Sequence, residues 1–170
     1  MRDKRTHSFL RTHSAIHPMS LDASSYAFRA STDTVGDSPL HGLVRVSGAL
    51  HEAARPKKKI AEYRLDLKAD EFEGLESGDS LSILITLRSG IDKALLGLDA
   101  DKYSYVMNGC LLESRKESGS ARTILSFGGL LLEVSNNEGL CEALSALSGT
   151  EYRTNAEGFE EGPVYMYVRR

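Results

Sequence analysis

From Tyr26 onward, apolar and polar residues alternate with a period of two, the pattern of strands that bury one face. Tyr63, Leu65 and Leu67 alternate with Arg64, Asp66 and Lys68, and Leu81, Ile83, Ile85 and Leu87 alternate with Ser82, Thr86 and Arg88. Leu84 is out of phase. Six further segments carry shorter or noisier alternation: 26–31 (Tyr26, Phe28 and Ala30 on one face), 43–50 (Val44, Val46), 103–113, 121–127, 129–135 and 163–169. Only turn chemistry separates the strands between Leu43 and Arg88, so they read as antiparallel hairpins rather than crossover units. The stretch from Asp70 to Asp79, with Gly74 and Gly78, has the composition of a loop. Gly128 and Gly129 are read as a structural turn, where glycine supplies a positive φ without steric cost. Pro163 opens the last strand, a position that tolerates a missing N–H. One helix interrupts the pattern: Leu140, Leu144 and Leu147 follow helical spacing after Asn136 and Asn137, and Gly149 ends the run. The expected architecture is all-β: a closed antiparallel barrel of about eight strands with one short helix, since closure removes exposed strand edges.

Residues 1–25 lack this periodicity. They are rich in Ser, His and Arg, and are expected to form a mobile tail ahead of a barrel domain over residues 26–170. Their basic, acid-poor character also overlaps with mitochondrial transit peptides. His7, His13 and His17 have no Cys or carboxylate cluster to close a metal site.

A chain of 170 residues with 41% hydrophobic and 26% charged residues has room for one ordinary domain and the composition of a soluble globular protein. The longest apolar run, around Leu130 to Leu132, is far below the roughly 20 residues of a bilayer crossing, so no membrane association is expected. Cys110 and Cys141 are too few for a disulfide scaffold or a four-cysteine zinc site, which suits a reducing compartment. The net charge of -3 excludes a globally basic nucleic-acid binder. It hides a gradient: residues 1–30 hold five bases against two acids, whereas residues 60–101 hold ten acids against four bases. The run Arg55-Pro56-Lys57-Lys58-Lys59 reads either as a nuclear-import or phosphate-contacting patch, or as a solvated hairpin loop before a strand.

No nucleophile elbow, P-loop, dinucleotide fingerprint or HExxH motif is present, so no catalytic or cofactor-binding residue is expected. Ser126-Phe127-Gly128-Gly129 precedes an alternating segment rather than a helix, which favours a turn over a phosphate loop. Cys110 would meet His41 or His51 only by accident of folding, and its strand context points to core packing.

Three strings give the second half a family likeness: Tyr105-Val106-Met107-Asn108-Gly109, Ser126-Phe127-Gly128-Gly129-Leu130-Leu131, and Val164-Tyr165-Met166-Tyr167-Val168-Arg169-Arg170. In order and spacing they resemble the eighth common subunit of the eukaryotic nuclear RNA polymerases, the small oligonucleotide/oligosaccharide-binding (OB) fold subunit shared by polymerases I, II and III. Val44-Arg45-Val46, Leu65-Asp66-Leu67 and Gly78-Asp79-Ser80-Leu81 fall where that family places its early strands. The resemblance implies an OB-like barrel, a non-catalytic structural role in a DNA-directed RNA polymerase, no cofactor, nuclear residence and docking onto the largest subunit. Three departures suggest a divergent or specialised version: the 25-residue tail, the short connection from Ser89 to Lys102, and the longer stretch between Val134 and Val164.

With Val164, Met166 and Val168 turned inward, Tyr165, Tyr167 and Arg169 are expected to face out. Tyr and Arg are enriched at binding hot spots. The expected partner interface therefore comprises Tyr165, Tyr167, Arg169 and Arg170, with Tyr105, Met107 and Gly109 of the neighbouring strand. Two alternatives are a free-standing single-stranded nucleic-acid binder stacking bases on Tyr63, Tyr103, Tyr105, Tyr165 or Tyr167, and a mitochondrial barrel protein addressed by the basic tail. The acidic middle of the chain makes any nucleic-acid contact indirect or weak.

Overall fold

Each predicted alternation becomes one wall of a barrel whose interior collects the inward-facing side chains. The computed structural model describes residues 25–53, 55–87, 103, 105–145, 153–154 and 160–170. Its elements are β1 (Ser25–Asp37), β2 (Leu43–Glu52), β3 (Arg55–Lys68), β4 (Ser80–Leu87), β5 (Tyr105–Glu117), β6 (Ser120–Phe127), β7 (Leu130–Ser135), α1 (Glu138–Ser145), β8 (Arg153–Thr154), β9 (Glu160–Glu161) and β10 (Val164–Arg169). Eight strands close the barrel in the order β1-β2-β3-β7-β6-β5-β10-β4, with β4 returning to β1 and all neighbours antiparallel. The long first strand makes closure possible, pairing β4 through Ser25–Ser31 and β2 through Phe28–Asp37. A register shift between Thr32 and Thr34 bends it between the two partners. Among the described residues, no helix is long and apolar enough to cross a membrane.

The core is built from the expected inward set, including Leu65, Leu67, Ile83, Ile85, Met166 and Val168, each 1% exposed or less. The two-residue turn at Gly128 and Gly129 has φ of 62° and 97°, and it joins Phe127 to its partner Leu130 in the register that keeps Leu125 and Leu132 inside. The helix starts where the sequence turns it: Asn136 takes φ 64°, and the Asn137 side chain accepts the Leu140 amide at 2.9 Å as an N-cap. Leu140 and Leu144 are buried as α1 packs on β5 and β6. Ser114 of β5 fixes it there, donating to Cys141 O at 2.9 Å and lying 2.9 Å from Ser145 Oγ.

Several expectations require correction. The basic run from Arg55 to Lys59 is no hairpin loop; it is the exposed first part of β3. The Asp70–Asp79 connection is a loop, yet it sends Phe72 and Leu75 into the core, and the Phe72 ring meets Tyr105 edge-on at 5.8 Å. Cys110 is half-buried rather than a core residue, and Cys141 is the buried cysteine. Cys110 on β5 and His51 on β2 stand on opposite sides of the barrel, four strands apart in either direction. Asp66, on the polar side of its strand, is 1% exposed. It is covered by Arg45, its partner across β2, through hydrogen bonds of 2.7 and 3.0 Å, and it accepts the Leu131 amide at 3.4 Å. The carboxylate raises the Arg45 pKa above its ordinary value. Residues 1–24, the connection 88–102 and Leu147 and Gly149 of the predicted helix lie outside the described residues.

Candidate functional site

The expected interface centres on β10, and cross-strand register decides what that strand exposes. Val164, Met166 and Val168 point inward and are fully buried. Directly opposite residues share a face, so Tyr167 stands on the outer wall with Leu84 of β4 and Val106 of β5. Leu84 broke the period of two because it belongs to this outer apolar row, and it is completely buried there. Tyr103 packs onto Tyr167 with ring centroids 5.8 Å apart, leaving Tyr167 only 5% exposed. The outward direction was predicted, but Tyr167 is not free to be a hot spot. Burial raises its phenol pKa. Tyr165 is half-buried, and Val106 is the exposed member of the row, at 51%.

The β5 residues assigned to the interface divide differently. Met107 is a core residue and does not reach the outer face. Tyr105 is half-buried against the core, with Lys68 Nζ 5.9 Å from its ring centroid. Gly109 is a close-approach position: a Cβ there would lie 2.0 Å from Ser126 O, and a Cβ on Gly162 would lie 1.9 Å from Gly109 O. Asn108 completes this junction. Its Oδ1 accepts the Gly162 amide at 2.6 Å, and its Nδ2 donates to the Gly162 and Val164 carbonyls at 3.1 and 3.2 Å. Asn108 and Gly109 thus seat the start of β10 against β5, a structural task rather than a docking one.

Arg169 and Arg170 end the strand and have different fates. Arg170 donates to Glu73 O and Gly74 O at 3.2 and 2.8 Å and pairs with Asp79 Oδ2 at 2.8 Å. It latches the acidic loop to the end of β10. Arg169 stands over the Tyr103 ring at 5.6 Å, a contact that orients a planar guanidinium. Burial raises the Tyr103 pKa and the Arg169 charge partly offsets that, so the phenol stays protonated at neutral pH.

Beside these arginines runs an open groove of about 670 Å³, whose polar lining includes Arg29, Ser80, Ser82, Tyr103, Arg169 and Arg170. Sequence reasoning missed Arg29, Ser82 and Tyr103 as members of one site. Arg29 and Arg169 are 140 positions apart, and they become neighbours only because β1 and β10 both pair with β4 at Ser82. Among the described residues, no group of three or more His, Cys, Asp or Glu side chains is placed to hold a metal ion.

Comparison with known proteins adds little to this geometry. No family model and no curated protein matches the chain. Among solved structures, it is similar to the cytoplasmic molybdate-binding protein ModG with molybdate bound, at 12% identity and a TM-score of 0.26, over 85% of this chain and 89% of that one. A likeness of that size supports no functional inference.

Proposed function

We propose that this chain is a non-catalytic structural subunit of a nuclear DNA-directed RNA polymerase that docks on the largest subunit. The observation that carries the reading is where the three resemblance strings meet. They are far apart in sequence, but they fall on β5, the β6–β7 turn and β10, which form one contiguous stretch of wall, β7-β6-β5-β10. Each string has a definable task there: Gly128 and Gly129 make the turn, Asn108 and Gly109 seat the last strand, and Val164, Met166 and Val168 fill the core. A barrel assembled in this way offers its outer surface for assembly, and the groove at the end of β10 is the proposed contact.

The test is affinity purification of the tagged full chain from nuclear extract, followed by mass spectrometry. The largest polymerase subunit should be recovered in near-stoichiometric amount. Recovery of no large polymerase subunit would overturn the proposal, and a tagged chain found in the mitochondrial matrix would replace nuclear residence.

A further inference from the structure

Arg29 pairs with Ser82 on β4, and Ser82 pairs in turn with Arg169 on β10, so the three residues form one outward row across three adjacent strands. The row continues from Arg29 to His51 on β2 and Lys59 on β3. Farther along the row, Lys59 pairs with Glu62 at 2.8 Å, and His51 Nε2 lies 3.3 Å from Ser31 Oγ. Arg170, next to the row, is held by Asp79. Arg29 and Arg169 are therefore the groove's two guanidiniums without a carboxylate partner among the described residues, on either side of the Ser82 hydroxyl.

We infer that this groove holds a short acidic protein segment in extended conformation, with two carboxylates engaging Arg29 and Arg169; the inference rests on the reading of the chain as a docking subunit. The geometry suits that ligand. Two strand spacings separate the arginine backbones by about 10 Å, and alternate residues of an extended peptide present side chains about 7 Å apart on one face, a gap that arginine stems span. A guanidinium oriented by an aromatic ring is prepared for bidentate binding to a carboxylate. A nucleic-acid strand fits less well. Affinity for a phosphate backbone grows with the number of phosphates neutralised, and the groove's two guanidiniums without a carboxylate partner among the described residues neutralise few. The acidic loop that Arg170 latches beside the groove, with exposed Glu73 and Glu76, repels a longer polyanion.

The experiment is a nitrogen-15 NMR titration of the full chain at low salt with a synthetic peptide carrying Glu-Ser-Glu, followed at the arginine Nε–H signals. Saturable shifts are expected at Arg29 and Arg169, with Arg45, already paired to Asp66, as the unmoved internal control. Arg29→Ala, at an exposed position, should weaken binding about tenfold, as should Arg169→Ala, the loss expected for one charge-assisted contact. A peptide carrying Lys-Ser-Lys should not bind. Absent or non-saturable shifts, equal binding by wild type and both variants, or tighter binding of an oligothymidylate of similar length would each overturn the inference. The titration contains no polymerase component. If it fails while the largest subunit still co-purifies, the groove is lost as the contact and docking on the largest subunit stands through another part of the barrel; peptide binding without polymerase recovery means the reverse.

Discussion

Replacing Arg45 with alanine strips the cover from a carboxylate that the barrel has already desolvated. Asp66 is 1% exposed, and its two strongest contacts are the Arg45 hydrogen bonds of 2.7 and 3.0 Å; the Leu131 amide at 3.4 Å is a weaker third. Breaking a buried ion pair by removing one partner costs about 3–5 kcal/mol, because the remaining charge stays buried without compensation. The Arg45 side chain is 33% exposed, so water can enter the vacated space, which places Arg45→Ala near the lower end, at about 3 kcal/mol. For a chain of this size that corresponds to a fall in Tm of roughly 6–12 °C. Urea and thermal unfolding followed by circular dichroism would measure it. A companion double variant, Arg45→Met with Asp66→Leu, should lose less than Arg45→Ala alone, since apolar replacement of both partners removes the stranded charge. A loss below about 1 kcal/mol for Arg45→Ala would show that the pair behaves as an ordinary surface ion pair and that the reasoning is wrong.

Gly109→Ala should lower stability by about 2–3 kcal/mol or more, because its Cβ would meet Ser126 O at 2.0 Å, and an unchanged urea midpoint would contradict the close approach at this junction. Gly129→Val should cost on the order of 1 kcal/mol or more by strain at φ 97°, again read from the urea midpoint. Tyr167→Ser should destabilise the barrel by about 3 kcal/mol, since the ring is buried under Tyr103; wild-type thermal stability in this variant would show that the ring is dispensable to the outer wall. Hydrogen bonding to Lys116 holds the Glu142 carboxyl below its ordinary pKa. Its contribution to α1 docking is therefore present above the unfolded carboxylate value of about 4.3 and is lost as pH falls through the lower folded value. Stability measured stepwise from neutral pH into acid should show this loss, and Glu142→Gln should flatten that part of the profile.

Local pattern along the chain was enough to set the wall of this barrel. Alternation placed Leu65, Leu67, Ile83, Ile85, Met166 and Val168 inside, and paired glycines located the β6–β7 turn, because a period of two and a positive φ are local properties of the chain. The spacing of Leu140 and Leu144 after Asn136 and Asn137 likewise marked the helix, whose cap on the Asn137 side chain the structure supplies. Tertiary structure alone decided what happens on the outside of the barrel. A two-state reading of each strand, in or out, treats outward as exposed, and it fails wherever a second layer covers the wall. Leu84 and Tyr167 are outward and buried because they meet each other and Tyr103, while Asp66 is outward and buried because Arg45 and the start of β7 lie over it. Met107 and Gly109 carry the family likeness yet serve the core and a backbone junction, tasks that a string of residues does not reveal until Ser126 and Gly162 are brought against it. The groove was the least legible feature of all. Its two guanidiniums without a carboxylate partner among the described residues come from the first strand and the last, and only barrel closure through β4 sets Arg29 and Arg169 on either side of Ser82.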